Sequence, residues 1–148
     1  MKLALGSDHA GFEAKQIVEE HLREKGYEVV DKGAFSSESV DYPDIAFAVA
    51  KSVASEETDA GILLCGTGIG MSIAANKVDG IRAALCHDKE TAALSRQHND
   101  ANVLAVGARI NSIENILDIV DTWLEEKFLG DRHKRRVEKI MAIEKENS

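Results

Sequence analysis

The stretch Gly61-Ile-Leu-Leu-Cys65-Gly-Thr-Gly-Ile-Gly70-Met-Ser72 decides the fold. A short apolar run ends in a cysteine, and glycines then occupy alternate positions before a segment of helical character begins. Alternating glycines let the backbone turn sharply and aim several N–H groups at one point, where the following helix presents its positive end. Such a loop is built to hold an anion. It is not a dinucleotide fingerprint: the spacing is G-x-G-x-G, it follows the third apolar run of the chain instead of the first, and the Walker lysine is absent.

Working outward, similar apolar runs recur at Leu3 to Leu5, Tyr27 to Val30, Ile81 to Leu85 and Val103 to Val106, separated by segments with helical spacing. That alternation predicts an α/β fold, a three-layer Rossmann-like doubly wound sheet of about five parallel strands. The first helix carries Ala14, Ile17, Val18, His21 and Leu22 at i, i+3, i+4 spacing and stops at Gly26, with Lys25 in its last turn. A second is expected to start at Pro43, the only proline, with Tyr42 extended before it and a polar loop over 32–42. Further helices are expected near 70–77, 88–98, 112–127 and 131–146. No repeat or linker interrupts the chain, so residues 1–148 are expected to form a single domain.

Composition narrows the function classes. The 148 residues include 26 acidic and 18 basic side chains, a net charge of -8, with 44% hydrophobic and 30% charged residues, as in soluble globular proteins. The longest apolar runs fall far short of the roughly 18 residues a membrane span needs. The amino terminus lacks the long apolar region and cleavage site of a signal peptide, so a cytoplasmic location is expected. Cys65 and Cys86 are too few for a disulfide framework and are not spaced as a zinc motif. An acidic chain is poorly suited to nonspecific nucleic-acid binding, which needs a broad basic surface.

In a doubly wound sheet, ligands bind outside the carboxyl ends of the strands. The residues just after each run are therefore the candidates: Ser7, Asp8 and His9; Cys65 and Gly66 to Gly70; Cys86, His87 and Asp88; Gly107 and Arg109. These groups are expected to converge on one edge. Cys65 reads either as a buried strand cysteine or as a general base. An ordinary thiol is about 3% thiolate at pH 7, and a helix amino terminus raises that fraction; the adjoining loop favours the second reading. Cys86, with no such loop, reads as core. Thr67 reads as a donor to a developing oxyanion or as a cap of the next turn. Asp8 and His9 read as sugar-hydroxyl ligands, or Asp8 as the cap of the first helix. His98 and Asn99 end a helix, where histidine suits the dipole and asparagine accepts left-handed geometry. His21 reads as a structural histidine, and Asp88 matches a ribose-binding acid by distance alone.

Asp131-Arg-His-Lys-Arg-Arg136 is the second signal. With Asp131 as N-cap, the basic residues crowd the start of the last helix against its macrodipole, a conflict that a bound phosphate removes. Arg132 and Arg136 share a face and can grip one dianion; a solvated basic helix start is the alternative. The apolar face formed by Val137, Ile140 and Met141 is expected to pack on a partner subunit and to carry the arginines to that subunit's thiol site.

On Ser7-Asp-His-Ala-Gly11, Val40-Asp-Tyr-Pro-Asp44, Gly61 to Gly70, Gly80-Ile-Arg-Ala-Ala84, His98-Asn99, Asn102 and Arg132-His-Lys-Arg-Arg136, the chain resembles the type B ribose 5-phosphate isomerase family. That family lies within a wider group that includes galactose 6-phosphate isomerase subunits. The resemblance runs end to end. It implies a homodimeric enzyme of the pentose phosphate pathway, with possible pairing to a tetramer and sites shared between subunits. It implies no metal and no cofactor, and an enediolate route between ribose 5-phosphate and ribulose 5-phosphate. Carried over by position, Cys65 moves the proton between C1 and C2, and Thr67 with the amides of Gly66, Gly68 and Gly70 stabilises the oxyanion. His98 assists ring opening with Asp8. His9, Arg109, Arg132 and Arg136 hold phosphate, and Tyr42 and Asn99 contact the sugar. Some members use a glutamate of the glycine loop as base; residues 66–77 contain none, so this chain resembles the thiol branch. Six-carbon aldose phosphates such as allose or galactose 6-phosphate, a noncatalytic sugar-phosphate sensor and a thiol redox protein are the competing readings.

Overall fold

The computed structural model describes residues 1–147; Ser148, the last residue of the expected domain, lies outside the described residues. Five parallel strands, β1 (Lys2–Ser7), β2 (Glu28–Asp31), β3 (Ala60–Cys65), β4 (Ala83–Leu85) and β5 (Val103–Gly107), form one sheet in the order β2-β1-β3-β5-β4. The helices are α1 (Phe12–Glu24), α2 (Tyr42–Ala54), α3 (Ile69–Ala75), α4 (Lys89–Asn99), α5 (Ile113–Glu125) and α6 (Arg132–Glu146). One apolar cluster joins the sheet to α1, α4 and α5 through Val18, Leu22, Ala92, Ile116, Ile119 and Trp123. A second joins the opposite face to α2 and α3 through Ala46, Val49, Val53, Met71 and Ala75. This is the expected three-layer doubly wound architecture. Strands β1, β3 and β5 are sandwiched between both clusters, which is why they read as unbroken apolar runs.

Local chemistry sets the helix boundaries. Gly26, at φ 94, follows α1 in the left-handed conformation and ends it where expected. The buried stripe of α1 is Lys15, Val18 and Leu22, whereas Ile17, expected on the inner face, is exposed. Helix α2 starts one residue earlier than expected: Asp41 is the extended N-cap and Tyr42 the first helical residue, ahead of Pro43. Asp88 is the N-cap of α4 in a capping box with Thr91, which accounts for it without a ribose. The left-handed residue closing α4 is Asp100, at φ 47, instead of Asn99. Asp131 precedes α6, but its side chain makes no capping bond. His21 lies 2.8 Å from Asp121 on α5, a satisfied structural contact. Cys86 is buried, and burial pushes its thiol pKa up, as befits a core cysteine.

Candidate active site

The strand order reverses between β1, whose next neighbour in sequence lies on one side, and β3, whose successors lie on the other. A crevice opens at such a switch point, at the carboxyl ends of the strands. There a cleft of about 480 Å³ is lined by Asp8, His9, Ala10, Tyr42, Cys65, Gly66, Thr67, Ile69, Gly70, Ile73 and Arg109. A second cleft of similar size lies against α1 and β2, where Lys15 is paired with Asp31 at 2.7 Å, away from the carboxyl ends of β3 and β5.

Cys65 ends β3, and the turn after it is forced by Gly68. At φ 83, Gly68 occupies the left-handed region, and a Cβ there would stand 2.6 Å from Leu85 Cδ1 and 3.0 Å from the Val106 carbonyl carbon. Only glycine fits. The turn swings the Gly68 N–H back to donate to Cys65 Sγ at 3.1 Å. It also starts α3, whose first amides have no intrahelical acceptor. Of these, Ile69 donates to Thr67 Oγ1 at 3.2 Å, and Gly70 lies in the cleft wall. The Thr67 hydroxyl accepts that bond and still has its own proton to give. The two readings of Thr67, as cap and as donor, are therefore compatible.

The flanking segments complete the cleft. Asp8 is held by its N–H donating to the Leu64 carbonyl at 3.1 Å, and its carboxylate accepts from the Gly11 amide at 3.0 Å, capping a short 3-10 turn ahead of α1. His9 Nδ1 accepts from the Val40 amide at 3.4 Å, which puts the proton of the neutral ring on Nε2. The Tyr42 ring lies flush against Gly70, where a Cβ would be 2.5 Å from its Cε1. Arg109 follows β5 and lies over Gly66, with its Cδ 3.5 Å from where a Cβ would be. Its amide donates to the Gly66 carbonyl at 3.0 Å, tying the β5 end to the glycine loop.

The structure thus gathers Asp8, His9, Tyr42, Cys65, Gly66, Thr67, Gly70 and Arg109, with Gly68 behind the sulfur. It does not gather everything at the strand ends. Because β4 lies at the sheet edge beyond β5, Cys86, His87 and Asp88 stay out of the cleft, contrary to the expected convergence. His98, Asn99, Arg132 and Arg136 also lie elsewhere in the chain. Helix α4 runs back from the strand carboxyl ends, so its last turn, with His98 and Asn99, reaches the opposite pole. There the His98 ring stacks on His133 with centroids 4.1 Å apart and planes inclined by 12°. Burial, then the charges of His98, Arg132 and Arg136, hold His133 below the usual histidine pKa, outweighing Asp131. Helix α6 packs here through His133 and Val137, while Ile140 and Ile143 remain about half exposed, so the chain itself covers only part of the apolar face.

Ala10 and Ile73 line the cleft without having been singled out in the sequence, beside Ile69 of the glycine loop. A helical reading of α3 puts Ile69 and Ile73 four apart on one face, the only local signal available. Lys15 is the other omission: it is buried, donates to Asp31 at 2.7 and 2.8 Å and to the Ala34 carbonyl, and so pins the β2–α2 loop. Ala34 in turn donates to the Ser7 carbonyl at 2.6 Å, next to Asp8. The signal for Lys15 is its spacing with Val18 and Leu22.

Fold and cleft together define a doubly wound α/β protein with an open, polar-lined cleft at its switch point. A sequence model of the Ribose/Galactose Isomerase family matches residues 3–140, and the chain belongs to that family. It is 55% identical over 143 residues to Ribose-5-phosphate isomerase B of Escherichia coli strain K12, covering 97% of this chain and 96% of that one. The structure of Clostridium thermocellum Ribose-5-Phosphate Isomerase B superposes with a TM-score of 0.99 at 54% identity, covering 100% of both chains. That of Ribose-5-phosphate Isomerase B from Mycoplasma genitalium with bound ribulose-5-phosphate gives 0.95 at 46% identity, covering 98% of this chain and 97% of that one.

Proposed function

We propose that the protein interconverts D-ribose 5-phosphate and D-ribulose 5-phosphate through an enediolate, with Cys65 as the base that moves the proton. Residues 1–148 act as one isomerase domain. The observation that carries this reading is the Cys65 sulfur, 3.1 Å from the Gly68 amide in a cleft lined by the glycine loop. Proton abstraction beside a carbonyl needs a positioned base and donors waiting for the charge, and the loss of one such donor costs about 3–4 kcal/mol. From the open-chain aldose, the thiolate takes the C2 proton, the C1–C2 double bond forms, and negative charge gathers on O1. The Thr67 hydroxyl and the loop amides receive that charge. The thiol then returns its proton to C1 while the O2 hydroxyl proton passes to O1, giving the ketose. His9 and Arg109 face the phosphate; Asp8 and Tyr42 face the sugar end.

The set is completed by a second copy of the chain, which supplies His98 and Asn99 for ring opening and sugar contact and Arg132 and Arg136 for phosphate. Helix α3 supports this arrangement. Its amino end borders the thiol cleft, its carboxyl end leads to Asn76, which borders a groove with Asn99 and Ile140, and Ile69 and Ile73 are about half exposed along it. A seven-residue helix is only about 10 Å long. A two-fold axis across its exposed face therefore brings the His98 pole of one copy over the thiol cleft of the other.

The test is an isomerase assay with EDTA, offering ribose, allose and galactose phosphates in parallel, combined with proton NMR in heavy water. Turnover of ribose 5-phosphate with exchange at C2 is the expected result; binding without exchange would make the protein a sensor. A monomeric mass by light scattering at assay concentration would refute the shared site.

A further inference from the structure

Arg82 is mostly buried at the start of β4, remote from the thiol cleft, and no step above uses it. Its guanidinium closes the carboxyl end of α4. Nε donates to the Asn99 and Asp100 carbonyls at 3.2 and 3.0 Å, and Nη2 donates to the Asp100 carbonyl at 2.8 Å. Nη2 also lies 3.6 Å from the Asp100 carboxylate. These carbonyls belong to the last turn of a helix, where acceptors lack intrahelical partners and a cation is favoured. Asp100, left-handed at φ 47, is the residue that turns the chain out of α4. The remaining arm, Nη1, donates to Met141 Sδ of α6 at 3.1 Å.

The backbone beneath Arg82 is held just as closely. Asn102 Oδ1 accepts from the Arg82 amide at 2.8 Å, and Asn102 Nδ2 donates to the Gly80 carbonyl at 2.9 Å. The Gly80 amide donates to Glu144 Oε1 of α6 at 2.7 Å. One short segment, anchored by Asn102, therefore fastens both the His98–Asn99 end of α4 and the body of α6.

We infer that Arg82 is a positioning residue for the reaction: it fixes His98, Asn99 and the α6 arginines as one rigid unit that completes the site of the other subunit. This rests on the shared-site reading above. Arginine is required because three donors must reach two helices from one planar fork, which the single ammonium of lysine cannot do. Misplacing a group by about 1 Å costs up to about a hundredfold in rate. Arg82→Gln should lower kcat/KM by about ten- to a hundredfold, and Arg82→Lys should lose less.

Position predicts in which subunit the damage falls. Differently tagged subunits are co-expressed and the heterodimer purified by both tags. Arg82→Gln is paired with Cys65→Ser, and His98→Asn with Cys65→Ser serves as reference. If Arg82 acts across the interface, the Arg82→Gln subunit keeps a sound thiol cleft that the Cys65→Ser subunit completes. One site in two then works, and the heterodimer turns over at about half the wild-type rate. An Arg82→Gln lesion that spreads through its own subunit would spoil that cleft and give no recovery. Recovery in the reference pair without recovery in the Arg82 pair refutes the inference and leaves the shared site standing. Failure of both pairs removes the shared site and the inference with it. Should Arg82→Gln fail to fold, Arg82→Lys enters the same pairing with the same two outcomes.

Discussion

Replacing Gly68 by alanine tests how the sulfur is presented. The residue sits at φ 83, where a side chain costs about 1–2 kcal/mol. The new methyl would stand 2.6 Å from Leu85 Cδ1 and 3.0 Å from the Val106 carbonyl carbon. Leu85 can rotate, but the β5 backbone, hydrogen-bonded between β3 and β4, cannot, and overpacking of this kind adds about 1–3 kcal/mol. The sum is about 2–5 kcal/mol, or a fall in Tm of about 4–20 °C for a chain of this size. Relief of the strain moves the turn, so the Gly68 amide leaves Cys65 Sγ and turnover falls with stability. Gly66→Ala is the control: its methyl would find Arg109 Cδ at 3.5 Å, an ordinary contact, and Gly66 has no positive φ. Its stability should stay within about 0.5 kcal/mol of the parent. Thermal melts and steady-state rates on both variants decide the matter. A Gly68→Ala protein with parental Tm and kcat would show that the left-handed turn does not hold the sulfur's donor.

Three further outcomes are expected. Cys65→Ser keeps its circular dichroism and melting curve but loses about a hundred- to ten-thousandfold in kcat, and undiminished turnover would remove Cys65 as base. Lys15→Met leaves the Asp31 carboxylate without its 2.7 Å partner; because Asp31 is partly exposed, the loss should be about 2–3 kcal/mol, and an unchanged urea midpoint would contradict the clamp. For His133, whose pKa is held down by burial and neighbouring positive charge, the unfolded chain takes up a proton near pH 6.5 before the folded one does. Stability should therefore fall as pH drops below about 6.5 and level off once the folded protein is also protonated. His133→Phe should flatten that slope between pH 5 and 8, and equal slopes in both proteins would refute the assignment.

Much of this was legible in short stretches of chain because the forces that write it are short-ranged. The glycine loop at 66–70, the cap at Asp88 and the stop at Gly26 each follow from backbone sterics and orphan amides within a few residues. Five apolar runs became five strands for the same reason. Expectation and structure part where two neighbours compete for one role: Asp100 takes the left-handed position offered to Asn99, and Tyr42 joins the helix ahead of Pro43. The burial of Lys15 is not legible locally, because a buried lysine is stable only through Asp31 and Ala34, which lie in a different part of the chain.

By itself, then, the sequence determined the alternation of strands and helices, the glycine loop and the thiol at its mouth. Tertiary structure alone decided the strand order. Seating β5 between β3 and β4 brings Arg109 onto Gly66 beside Cys65 and leaves His87 and Asp88 at the sheet edge. The same packing sends His98 and α6 to the far pole with Arg82. The physical reason is that a turn is fixed by neighbours along the chain, whereas strand order depends on which crossover buries the most apolar surface, a property of faces that meet only after folding.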